Sequence, residues 1–200
     1  MIDRFRYVFG AFSVVVLPLG LLFWFVIHPW ARFWRRLGPI RTYLIVLPPL
    51  VACGGFLFQR RGRLLGADLG TNWTLIVVAF ALYGVMTWLE LQYWKSLSIA
   101  TLVRITELQP MERQKGKLLQ DGIYRMVRHP RYLSAGLGVL GNALVINYVG
   151  LYLMIVLLFA AGHVMLVLEE RELTERFGEE YRRYQREVPR ILPRLGIKRG

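Results

Sequence analysis

Chemistry-bearing residues concentrate in two stretches of this 200-residue chain. Residues 122–132 bring together Gly122, Tyr124, Arg125, Arg128, His129, Pro130, Arg131 and Tyr132, so that rings, cations and an imidazole stand at the mouth of an apolar run. Pro130 suits the first turn of a helix, where its missing N–H is no loss. The simplest use of Arg128 and Arg131 is to snorkel to lipid phosphates. The second stretch is Glu169-Glu170-Arg171, at the far end of another apolar run. Two adjacent carboxylates there are costly if they face lipid, so at least one should turn toward the protein interior or a water-filled pocket. The alternative is a helix leaving the membrane, with Glu170 paired to Arg171 or another arginine. Two more ionisable groups sit at membrane depth. His163 lies seven residues before Glu170 and so on the same helical face, where it could act as a base, orient a nucleophile, or hydrogen-bond as a packing residue. Glu90 shares a face with Tyr83, Met86, Thr87 and Trp94. An intramembrane acid is a functional candidate by default, and pairing with a loop arginine is the competing explanation.

The elements that must position these groups are membrane helices. Hydrophobic residues make up 55% of the chain and mean hydropathy is +0.39, yet the formal net charge is +13. Apolar runs of membrane length alternating with basic loops set membrane topology; a nucleic-acid binder would not interleave its cations with such runs. A bilayer core needs about 20 helical residues. Residues 8–27, 43–58 and 73–94 meet or approach that length, and 132–168 is long enough for a hairpin turning at 147–150. The expectation is an all-α integral membrane bundle of about five transmembrane helices forming a single domain. In it, residues 1–94 give three helices, 95–131 a cytosolic connector, 132–168 the hairpin and 169–200 a cytosolic tail. Residues 169–186 read as a charged continuation of the last helix, stopped by Val188-Pro189. Basic residues in 28–42, in 95–131 and from Arg182 onward all fall on one side of such a bundle, which makes that side cytosolic. Arg60, Arg61 and Arg63 fall on the other side, against the rule. Pro18 and Pro48-Pro49 would bend their helices, and neighbouring helices can satisfy the freed carbonyls.

The single cysteine, Cys53, excludes an internal disulfide and any cysteine-built zinc or iron–sulfur site. The three histidines, His28, His129 and His163, are too scattered for a metal motif, and no metal is expected. Arg4 and Arg6 precede the first apolar run, but a signal-peptide core spans only about 7–15 residues and ends at a small-residue cleavage site. This run is longer and lacks one, so it reads as a retained helix. The short chain and the lack of targeting signals suit a prokaryotic inner membrane. Gly136, Gly138 and Gly141 would permit close helix approach. Residues 101–108 would border a substrate entrance.

Taken in order, Tyr124, Arg128-His129-Pro130-Arg131-Tyr132, a helical hairpin, Glu169-Glu170-Arg171-Glu172-Leu173, Phe177-Gly178-Glu179-Glu180-Tyr181, Tyr184 and Val188-Pro189-Arg190 with Pro193 resemble the C-terminal half of the isoprenylcysteine carboxyl methyltransferase family and its phospholipid methyltransferase relatives. The resemblance covers about residues 115–195. It implies S-adenosylmethionine as cofactor, bound without a nucleotide-binding α/β domain. One wall would be Gly122, Tyr124, Arg128, His129, Pro130 and Tyr132, the other Glu169 and Glu170. Arg128 would meet the cofactor carboxylate, a glutamate its ammonium, and Tyr132 or His129 its adenine or ribose. Related lipid methyltransferases use a G-x-G for the cofactor, matched here by Gly136 and Gly138. The chain departs from the carboxyl methyltransferases four residues before the glutamate pair, where they often carry a substrate-facing arginine and this chain has Met165.

The expected activity is therefore methyl transfer to a lipid-like or hydrophobic small acceptor through O, N or S, at the cytosolic face of a bilayer with anionic lipids. Glu90 and His163 are the candidate catalytic groups. Two alternatives remain: a nicotinamide-dependent membrane reductase, since sterol reductases show a similar His-Pro-x-Tyr, and a non-catalytic scaffold.

Overall fold

A computed structural model describes residues 1–27, 29–96 and 118–193. His28, residues 97–117 with the expected substrate border at 101–108, and residues 194–200 with Arg194, Lys198 and Arg199 lie outside the described residues. Among the described residues the chain forms α1 (Ile2–Ile27), α2 (Ala31–Leu37), α3 (Pro39–Gln59), α4 (Arg61–Leu65), α5 (Trp73–Ser96), a 3₁₀ turn (Gly122–Arg125), α6 (Pro130–Ile146), α7 (Val149–Phe177) and α8 (Glu179–Glu187). Four helices, α1, α3, α5 and α7, are long and apolar enough to cross a bilayer. At 17 residues, α6 extends about 25 Å. That is the lower limit for a crossing.

Why α6 nonetheless belongs to the bundle is visible along its seam with α5. The Tyr83 hydroxyl donates to Asn142 Oδ1 at 2.7 Å, and one ring atom of Tyr83 would stand 2.7 Å from a Cβ at Gly141. One turn on, Met86 Sδ would stand 2.8 Å from a Cβ at Gly138. Next, the Ser134 hydroxyl donates to Glu90 Oε1, and last the Arg131 guanidinium lies over the Tyr93 ring, 5.9 Å from its centroid. Steps of three and four residues up one helix meet matching steps down the other, which is how two antiparallel helices keep one face toward each other. Gly138 and Gly141 are therefore packing residues against α5, and Gly136 lies against Phe159.

Both prolines of Pro48-Pro49 and Pro18 lie inside continuous helices. The α6–α7 hairpin turns on Asn147, which takes a left-handed conformation (φ 52°), and Tyr148. The charged continuation of α7 is broken once: Gly178, at φ 58°, ends α7 and starts α8, a conformation that glycine adopts without a Cβ penalty. The expected uninterrupted helix over 169–186 is thus two helices, and the break turns α8 back so that Tyr181, Tyr184 and Val188 pack with Leu118, Leu173 and Phe177. The 28–42 loop contains α2, seated by a cluster of Ile27, Trp34 and Val46. The Trp34 Nε1–H donates to the Val26 carbonyl at 2.7 Å.

The two ends of the bundle are built differently. At one end, α1 begins six residues earlier than the apolar run does, because Arg6 is buried. Its Nε–H donates to the Ile146 carbonyl at 3.0 Å, and its other nitrogens reach Asp3, Thr71 and Asp68. Leu69 N–H donates to Asn147 O, and Val149 N–H to Ala67 O. Arg60 and Arg61, against the charge rule, lie over Phe56 and Phe58 at this end. At the other end, residues 118–132 meet the end of α7, α8 and residues 188–190.

Candidate functional site

The site grows out of three chain segments brought to one end of the bundle. Pro130 caps the start of α6 as expected, which fixes His129 at the N-cap and projects Arg128 and Tyr132 on either side of it. Residues 128 and 129 do not stand alone. The Arg128 N–H donates to the Pro189 carbonyl at 2.9 Å, and the His129 N–H to the Arg190 carbonyl at 3.0 Å. These two bonds lay the segment after α8 alongside the segment before α6. The 3₁₀ turn carrying Gly122 and Tyr124 is held from the same side: the Tyr184 hydroxyl donates to the Tyr124 carbonyl at 2.6 Å. Gln120 reaches Glu180 of α8 as well.

At the centre is Glu170, 5% exposed. Its Oε1 accepts from Arg128 Nη2 at 2.9 Å and faces His129 Nε2 at 3.2 Å. Its Oε2 is paired with Arg190. A carboxylate offers about four acceptor positions, so this arrangement uses most of them. Neighbouring Glu169 is half-buried and bound differently, its Oε2 accepting from the Tyr132 hydroxyl at 2.8 Å. Tyr132 is boxed by rings, edge-on to His129 with centroids 5.7 Å apart and to Trp24 of α1 at 6.2 Å. Trp24 is the contribution of α1 to this end.

Two buried polar atoms in the cluster are left over. Among the described residues, Arg128 Nε and the Tyr181 hydroxyl have no hydrogen-bond partner, although Tyr181 is 1% exposed. An orphaned buried donor costs roughly 1–3 kcal/mol, so native structures leave few, and those few call for an explanation. Burial, reinforced by the nearby Glu170 charge, pushes the Tyr181 hydroxyl well above the usual phenol range, so it is a protonated donor at neutral pH.

Of the residues singled out from the sequence, Arg128, His129, Pro130, Tyr132, Glu169 and Glu170 come together, with Tyr124 and Gly122 on the adjoining turn. Glu170 pairs with distant arginines rather than with Arg171. Arg131 is directed at Tyr93. Glu90 is half-buried beside α6, where the Ser134 hydroxyl donates to it, and Arg104 and Arg113 of the 95–131 connector lie outside the described residues. His163 is exposed on α7, whereas Met165 and Glu170 on the same helix are buried. Sequence reasoning left Arg190, Tyr181, Tyr184 and Trp24 without a role at the site. Arg190, Tyr181 and Tyr184 were marked by their place in the motif string that carries the family resemblance, which assigned none of them a partner, and Trp24 by nothing.

A family model described as phospholipid methyltransferase matches residues 74–180. The chain is 34% identical over 84 residues to the protein-S-isoprenylcysteine O-methyltransferase of Schizosaccharomyces pombe, covering 41% of this chain and 36% of that protein. It is 31% identical over 106 residues to a cobalt-zinc-cadmium resistance protein of Cupriavidus metallidurans, covering 52% and 49%. It is 29% identical over 154 residues to the methanethiol S-methyltransferase of Pseudomonas deceptionensis, covering 69% and 50%. The chain thus spans half or less of the length of these curated relatives. No solved structure matches it. The matched segment takes in Glu90, the whole of 122–132 and both glutamates, and it extends over more than half of the chain. On that match, the chain belongs to the phospholipid methyltransferase family.

Proposed function

We propose that this protein transfers a methyl group from S-adenosylmethionine to a lipid-like or otherwise hydrophobic acceptor, through O, N or S, at a site on the cytosolic rim of the membrane. The observation that supports it most is the meeting of His129 and Arg128 with Glu170, from stretches about forty residues apart, within the segment that the family model matches. When bound, S-adenosylmethionine supplies a methyl carbon already activated by its sulfonium.

The donor set suits such a group. A carboxylate calls for N–H and O–H donors, and Arg128 Nε and the Tyr181 hydroxyl are buried donors without partners among the described residues. An ammonium calls for an acceptor, and among the described residues Glu169 spends one oxygen on Tyr132. A flat heterocycle calls for rings, and His129, Tyr132 and Trp24 supply them. Glu170 then works as the organiser that holds Arg128, His129 and Arg190 in place. Gly122, Tyr124 and Pro130 shape the adjoining wall.

What remains for the protein is to hold acceptor and methyl carbon in line at near-attack distance and to keep water away. A site at the bilayer rim serves both ends. Arg128, Tyr181 and Glu169 would hold a soluble cofactor at its cytosolic side, and a hydrophobic acceptor would reach it laterally along the helices. On the acceptor side we assign Glu90, beside Ser134, and His163, exposed on the α7 surface that a bilayer-dissolved acceptor would meet. The buried Met165 puts no cation on that turn of α7 for an anionic acceptor. Basic residues at this end would favour anionic lipids.

Titration calorimetry on the purified protein in nanodiscs tests the reading. S-adenosylhomocysteine should bind and NADPH should not. Binding of NADPH without S-adenosylhomocysteine would overturn it in favour of a reductase.

A further inference from the structure

α8 is more than a tail that exits the membrane. Its two inward tyrosines are chemically unequal. Tyr184 has a reason to be tyrosine, because its hydroxyl holds the Tyr124 carbonyl at 2.6 Å. Tyr181 sits deeper, 1% exposed among Leu118, Leu173, Phe177 and Val188. A phenylalanine would fill that apolar seat without a stranded hydroxyl. The hydroxyl has no protein partner among the described residues, and neither does Arg128 Nε. Glu170, Arg128 and Glu169 all lie close enough to act on it electrostatically.

Charge narrows what the pair would receive. Glu170 is one anion facing two guanidinium groups, Arg128 and Arg190, which leaves this corner with an excess of positive charge. Arg128 Nε can only donate, and a protonated phenol donates more readily than it accepts next to a cation. Glu169, on the neighbouring position of α7, supplies the opposite charge. A cationic corner with two spare donors beside a carboxylate is the complement of an amino-acid zwitterion.

Resting on the methyl-donor reading above, we infer that Tyr181 is a cofactor-binding residue: its hydroxyl and Arg128 Nε–H together bind the carboxylate of the methionine moiety of S-adenosylmethionine, so that α8 forms the closing wall of the cofactor site.

The test compares the wild type with Tyr181→Phe and Tyr184→Phe, by calorimetry with S-adenosylhomocysteine and by thermal unfolding without ligand. Tyr181→Phe should lose about tenfold to a hundredfold in affinity, the worth of a hydrogen bond to a charged group, while its ligand-free melting temperature is unchanged or raised. Tyr184→Phe should do the reverse at the level of the fold and lower the melting temperature. The decarboxylated analogue of S-adenosylhomocysteine provides the second arm. It should bind the wild type much more weakly than S-adenosylhomocysteine does, and Tyr181→Phe should discriminate far less between the two. Unchanged affinity in Tyr181→Phe, or equal discrimination by both proteins, overturns the inference and leaves the methyl-donor reading standing. A wild type that binds neither ligand overturns both.

Discussion

Among the described residues Glu170 holds two guanidinium groups and an imidazole at once, whereas Glu169 holds one phenol, and this difference separates their roles. Glu170→Gln leaves the buried Arg128 without its counter-charge, a change that typically costs about 3–5 kcal/mol. It should lower the melting temperature by many degrees and weaken S-adenosylhomocysteine binding with it. Glu169→Gln leaves the cluster intact. It should weaken S-adenosylhomocysteine binding about tenfold with little change in melting temperature, and equal losses of stability in the two variants would contradict the division. The glutamate pair and the Arg-His-Pro-x-Tyr run were legible in the sequence because ionisable groups at membrane depth need partners, and their order is distinctive. The roles of Arg190 and Tyr181 were not legible, although both stand in the motif string that carries the family resemblance. A basic residue in a basic tail and a tyrosine on a charged helix look like many surface residues until Gly178 turns α8 back on α7.

At the scale of elements, α6 bears the start of the proposed site and is the shortest of the five long helices α1, α3, α5, α6 and α7. Its position depends on the seam with α5, where small residues let Tyr83 and Met86 close in. Gly141→Ala places a methyl group 2.7 Å from a ring atom of Tyr83. Overpacking of that kind costs roughly 1–3 kcal/mol. The variant should unfold at lower temperature and, because His129 is the N-cap of α6, also bind S-adenosylhomocysteine less tightly. A change in stability without a change in affinity would mean that α6 does not transmit its tilt to the site. The helices themselves were readable from apolar length, and the 147–150 turn from its Asn-Tyr-Val-Gly run. What length and composition could not give was how helices meet. The interhelical role of Gly138 and Gly141, the seating of α2 by Trp34 and the break at Gly178 are tertiary facts, fixed by neighbours distant in sequence.

Viewed whole, the molecule is closed at one end by Arg6 and bears the proposed site at the other. Arg6 stitches α1 to the α6–α7 turn and to the 68–71 loop, and as an arginine ahead of an apolar run it looked like a flanking charge. Arg6→Met would leave the Ile146 carbonyl without its donor and should destabilise the fold by about 1–3 kcal/mol, with cofactor affinity little changed. Asp68 gives this end a pH signature. Burial works against its carboxylate, but the Gly70 amide and Arg6 outweigh burial and hold its pKa below the ordinary 3.8. Its contribution is therefore complete above about pH 4 and is lost as pH falls through the lowered folded value. Thermal unfolding should show wild-type stability declining in that acid range, with the decline smaller in Asp68→Asn; identical slopes would remove Asp68 from the account. The central claim concerns the opposite end, that residues 122–132 and 169–190 enclose one methyl donor. Ultraviolet cross-linking of tritium-labelled S-adenosylmethionine to the purified protein, followed by peptide mapping, tests it most directly. The label should fall on peptides from those two segments and be displaced by S-adenosylhomocysteine, whereas displaceable label on the Arg6 end, in residues 60–72, would contradict it.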